Sequence, residues 1–151
     1  MESLFLPLAI VVLDQATKGV VEKVVPIGAG IPILGGLARI SRVYNPGSAF
    51  GVLTTARVPM AVTCLIVAAW AVIVIKGMDK RLGRCFQYGA GLIVGGATGN
   101  LIDRVRLGSV IDFIDLRLWP VFNVADAALC VGAAILAYSL VMGNLGGRNI
   151  K

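Results

Sequence analysis

Apolar residues in this chain are gathered into long runs, and polar residues fall at their ends. Four runs approach the roughly 20 apolar residues that a membrane-spanning helix needs. They cover about 4–23, 58–76, 85–102 and 122–143. The second is uncharged from 58 to 75, the third from 85 to 102, and the fourth after Asp126. Pro7 sits near the start of the first run, where a helix tolerates it. This pattern predicts an all-α integral membrane protein: a four-transmembrane-helix bundle forming a single domain over residues 1–151.

The stretch 24–57 breaks the pattern. It is rich in Gly and Pro, and residues 37–44 alternate weakly. Short strands and turns at the membrane interface are expected there. A connection of this length without structure would be unusual unless it had a function. The next connection, 76–84, is short and carries four cations, which places it on the cytoplasmic side. Both termini then lie inside, although the total count of Lys and Arg runs the other way.

Composition narrows the class. Of 151 residues, 58% are hydrophobic, and the mean hydropathy is +0.89. A soluble domain is not this apolar. The formal charge is +6, but the cations are scattered and flank the apolar runs, with no aromatic-interleaved basic stripe to grip nucleic acid. Cys64, Cys85 and Cys130 have no metal-ligand spacing, and the chain has no His. A zinc site and a disulfide framework are both unexpected, and no metal or cofactor is implied. The first run lacks a basic leader and a small-residue cleavage site, so it is expected to remain as a membrane helix.

The candidate chemistry lies in the acids. A carboxylate at the centre of a membrane helix costs about 2.5–3.5 kcal/mol on insertion scales, and less near its end. Asp112 and Asp126 stand at the ends of apolar segments without adjacent cations. Fourteen residues separate them, enough for the chain to turn back and bring both carboxylates to one membrane face. Close together, they cannot both stay ionised and would share a proton. One can then draw a proton from water while the other protonates a peptide carbonyl. Without His, a Ser-His-Asp triad or a Cys-His pair is impossible. A Ser-Lys dyad stays formally open, although Ser48 and Ser109 have no clear lysine partner.

Neighbouring polar residues carry two readings each. Asp14 and Lys18 share a helix face, as a plain ion pair or as the floor of a site. Asn100, Asp103 and Arg104 fall within one helical turn. Asp103 beside Arg104 and Arg106, and Asp115 before Arg117, would serve as interface ion pairs of little net value. Asn123, three residues before Asp126, caps a helix or orients the acid. Intramembrane acids also mark ion-coupled transporters, but the internal repeat common in such folds is missing. A scaffold whose acids merely seal a polar interior is the third reading.

Five blocks in order bear on these readings. They are Asp14-Gln15-x-x-Lys18, Asn45-x-Gly47-x-Ala49-Phe50-Gly51, Gly95-Gly96-Ala97-x-Gly99-Asn100-x-x-Asp103-Arg104, Gly108-x-Val110-x-Asp112-Phe113 and Phe122-Asn123-x-Ala125-Asp126. Together they resemble the lipoprotein signal peptidases (signal peptidase II) of bacteria. The resemblance implies a multi-pass aspartic endopeptidase of the bacterial inner membrane, a monomer with its site at the extracytoplasmic face. Its substrates would be diacylglyceryl-modified prolipoproteins, cut just before the lipid-bearing cysteine. Asp112 and Asp126 would form the catalytic dyad. Asn45, Gly47, Asn100, Arg104 and Asn123 would line the site, with Asp14, Lys18 and Asp103 supporting it. Residues 24–57 would form a small extracytoplasmic β-cradle, and the cyclic peptide globomycin would bind as an inhibitor. Ser48 stands where the family often has Ala, a small-for-small exchange.

Overall fold

The computed structural model describes residues 2–46, 63, 65–67, 69, 70, 73 and 83–146. Three long helices dominate them. Helix α1 is Glu2–Val24, α2 is Gly83–Leu107 and α3 is Val124–Gly146. Each outruns its predicted span at one end or both. Helix α3 starts two residues later than expected, because Phe122 is held in an isolated β-bridge to Ile114. The predicted span 58–76 lies mostly outside the described residues. Within it, positions 63, 65–67, 69, 70 and 73 are helical, and Trp70 packs on Ala90 and Val94 of α2 and near Leu136 of α3.

Among the described residues, Leu4–Val24 alone is long and apolar enough to cross a membrane by length and composition. Helix α2 has the length, since its 25 residues reach roughly 37 Å at 1.5 Å each. Its glycines dilute its hydropathy. Two of these glycines permit close helix contact. A Cβ on Gly99 would lie 2.6 Å from Asp14 Oδ2 of α1, and one on Gly96 would press into the Ala125 carbonyl of α3.

Between α1 and α2 the described chain forms β1 (Gly30–Ile33), a 3-10 turn (Leu34–Gly36) and β2 (Ala38–Asn45). The expectation of strands in 24–57 holds for this part, but the sheet is not confined to it. A third strand, β3 (Val110–Asp115), joins from the connection between α2 and α3. The order is β1-β2-β3, antiparallel throughout, with irregular pairing between Ile40 and Val43. The run Val110-Ile111-Asp112-Phe113-Ile114 is β-branched and aromatic, and it satisfies the otherwise open edge of β2.

The sheet rests on the end of α1. Val21, Val25 and Phe113 form a buried cluster, flanked by Ile40, Ile114 and Val124. Glu22 fastens the same junction. Its carbonyl, near the end of α1, accepts from Arg42 Nη1 at 2.9 Å, and its carboxylate meets Arg106 at 2.9 Å. A side-chain donor on a helix's last carbonyls replaces hydrogen bonds that the helix itself cannot make.

Candidate active site

Asp14 and Lys18 lie one turn apart on α1 and are both fully buried. The Lys18 ammonium is 2.8 Å from Asp14 Oδ2 and 2.9 Å from Asp103 Oδ2 of α2, and it donates to Asn100 Oδ1 at 3.1 Å. The pair is therefore not a solitary ion pair at the membrane edge. It belongs to a triad that ties two helices together. Asp103 also departs from the expected pairing with Arg104 and Arg106. It accepts from Gln15 Nε2 at 3.0 Å and from the Ile111 amide of β3 at 3.1 Å. Asp14 in turn accepts from the Ala125 amide of α3 at 3.0 Å. Removing one partner from so buried a cluster costs about 3–5 kcal/mol, because the remaining charge stays uncompensated. Asp115 differs too: it accepts from the Arg117 backbone amide at 2.7 Å, closing a turn.

Asn123 shows that its two readings are compatible. Its Oδ1 accepts from the Asp126 backbone amide at 2.9 Å, and its own backbone N–H donates to Asp126 Oδ2 at 3.3 Å. This reciprocal capping box starts α3. The other end of the same side chain faces the sheet, where Nδ2 donates to Asp112 Oδ1 at 2.7 Å. One buried asparagine thus touches both candidate acids. Asp112 Oδ2 also accepts from Asn45 Nδ2, at the end of β2, at 2.9 Å. Asp126 Oδ1 accepts from Asn100 Nδ2 at 2.8 Å.

The two acids differ in setting. Asp112 is 2% exposed, whereas Asp126 is half-buried. Burial pushes the Asp112 carboxyl up to about 6, and the nearby Asp126 charge adds to the rise, while the amides of Asn45 and Asn123 oppose it. Loss of water disfavours the charged form, and a like charge does the same. Arg104 lies beside this group. Among the described residues, its Nη1 reaches only the Asn100 carbonyl, at 3.5 Å, and its Nε is buried without a partner.

Of the residues singled out in the sequence, Asp14, Lys18, Asn45, Asn100, Asp103, Arg104, Asp112, Asn123 and Asp126 gather at one end of the bundle. Gly47 lies outside the described residues. Gln15 joins them, a site residue beyond those singled out. Besides Asp103, its amide donates to the Gly99 carbonyl at 3.2 Å. Its place inside the Asp14-Gln15-x-x-Lys18 block was the available signal.

Residues 6–142 match the family model described as Signal peptidase (SPase) II. The chain belongs to the signal peptidase II family. A relative from Pelotomaculum thermopropionicum named lipoprotein signal peptidase is 43% identical, over 91% of each chain. One of the same name from Geobacter metallireducens is 44% identical, over 86% of this chain and 84% of its own. A bacterial membrane enzyme solved by the in meso method at 2.3 Å superposes with a TM-score of 0.86 at 29% identity, covering 99% of this chain and 93% of that one. A second such enzyme, solved at 1.9 Å, gives 0.78 at 28% identity, over 92% of each. This member of the signal peptidase II family is a membrane peptidase.

Proposed function

We propose that this chain is an aspartic endopeptidase that removes the signal peptide from diacylglyceryl-modified prolipoproteins, hydrolysing the bond just before the lipid-modified cysteine. The observation that carries the reading is the double hold of Asn123 on Asp112 and Asp126. It keeps two carboxylates adjacent in a largely buried setting, where a shared proton is the stable state.

In this mechanism Asp112 holds the shared proton, since burial favours its neutral form. Half-buried Asp126 accepts a proton from water as the water oxygen attacks the scissile carbonyl carbon. Asp112 gives its proton to the carbonyl oxygen, forming a gem-diol. The diol then collapses: the proton on Asp126 passes to the departing nitrogen, the C–N bond breaks, and a diol proton returns to Asp112. The products are a signal peptide with a free carboxyl and a lipoprotein with an N-terminal cysteine amine. A scissile bond leaving its helix loses backbone hydrogen bonds, and Asn45, Asn100 and Arg104 are placed to replace them.

Chain direction supports a four-span membrane arrangement. Helices α1 and α2 both finish at the sheet, so the chain must recross between them, and the uncharged run 58–76 would supply that crossing. The protein then spans four times, with both termini cytoplasmic and the site at the extracytoplasmic face of a bacterial inner membrane. A site there receives a signal helix and two acyl chains without drawing lipid into water. Globomycin would compete at this site, and the enzyme would act as a monomer.

The test is incubation of the purified protein with a lipid-modified precursor peptide. Cleavage before the modified cysteine is expected, with Asp112→Asn and Asp126→Asn each inactive yet folded. Robust cleavage by either variant would overturn the dyad.

A further inference from the structure

Lys18 is fully buried and too deep to touch a substrate, yet it is one side chain away from a candidate acid. An ammonium donates hydrogen bonds and accepts none, whereas an asparagine amide has one accepting end and one donating end. Asn100 turns Oδ1 to Lys18 at 3.1 Å, which leaves Nδ2 facing the opposite way, 2.8 Å from Asp126 Oδ1. A reversed amide would set NH2 against the ammonium and an oxygen against the carboxylate, two repulsive contacts. Asn123 favours the same choice, because its Nδ2 lies 3.2 Å from Asn100 Oδ1. The two carboxylates that hold Lys18 are themselves fixed, Asp103 by Gln15 and the Ile111 amide, and Asp14 by the Ala125 amide. Ala125 immediately precedes Asp126.

We propose that Lys18 is a positioning residue of the peptidase: it sets the Asn100 amide so that its Nδ2 is delivered to Asp126. The inference rests on the reading of Asp112 and Asp126 as the dyad. It differs from a helix clamp, which would need the ion pairs to Asp14 and Asp103 but no particular orientation of Asn100.

A double-mutant cycle in detergent separates the two, using wild type, Lys18→Met, Asn100→Ala and the double variant on a lipid-modified precursor peptide. Lys18→Met is expected to lower kcat on the order of 100-fold, the usual consequence of misplacing a reacting group, with KM within about twofold. In the Asn100→Ala background the same change should alter kcat by less than about threefold, since the route is already cut. Additive losses, or a change in KM alone, would overturn the proposal. Where Lys18→Met fails to fold, Lys18→Met/Asp103→Asn keeps the net charge of the triad and is read against Asp103→Asn in the same way. If neither folds, Lys18 is a folding element and the proposal falls. A wild-type protein that does not cleave the precursor sinks the functional reading itself. Cleavage by wild type with additive variants sinks only the role of Lys18.

Discussion

Asn123 Nδ2 lies 2.7 Å from Asp112 Oδ1, across the junction between α3 and β3. The contact joins a helix cap to a strand carboxylate, so under the proposed mechanism stability and activity meet in one side chain. Two variants separate them. Asn123→Ala should lose the cap, about 1 kcal/mol, together with on the order of 100-fold in kcat/KM. Asn123→Ser keeps a capping oxygen but no amide donor for Asp112. It should restore most of the lost Tm and little of the activity.

The pH dependence follows from Asp112. Burial raises its carboxyl to about 6, so the neutral form persists through mildly acid pH and gives way to the charged form above. If Asp112 supplies the proton, kcat/KM falls as pH rises through about 6. Infrared spectra should show a protonated-carboxyl band that disappears over the same range and is missing in Asp112→Asn. Removing the amide of Asn45, which favours the charged form, should move the transition upward. An Asn45→Ala profile shifted to lower pH would contradict the assignment.

Gly96 tests the helix contact beneath the site. A methyl group there meets the Ala125 carbonyl, backbone that cannot swing aside. Gly96→Ala should destabilise by about 1–3 kcal/mol, as overpacking does, and reduce cleavage, because Ala125 adjoins Asp126. Gly19→Ala is the control. Among the described residues, nothing beyond the adjoining backbone of its own helix lies within 4 Å of its added methyl, and helix propensity favours Ala by about 1 kcal/mol. Thermal unfolding in detergent reads both.

Arg104 has a buried Nε without a partner among the described residues. Under the proposed mechanism a substrate carbonyl is its acceptor. Arg104→Ala should raise KM on the order of tenfold, the value of one charged hydrogen bond, with kcat nearly unchanged. An unaltered rate at limiting substrate would remove Arg104 from substrate handling.

Membrane character, three of the helices and the polar residues that gather at one end of the bundle were legible in the order of residues. Apolar runs are local, and a helix in lipid must satisfy its backbone within itself, so length and hydropathy suffice to find it. Asp112 and Asp126 stood out because neither has a neighbouring cation to explain it. The tertiary structure decided how these parts meet. Strand β3 reads as a short apolar connection until the free edge of β2 is beside it. Lys18 pairs with Asp103 and Asn100, and Asp14 reaches Ala125, only because glycines let α1 and α3 close on α2. Hydrogen-bond partners far apart in the chain are set by helix approach, which no local pattern encodes.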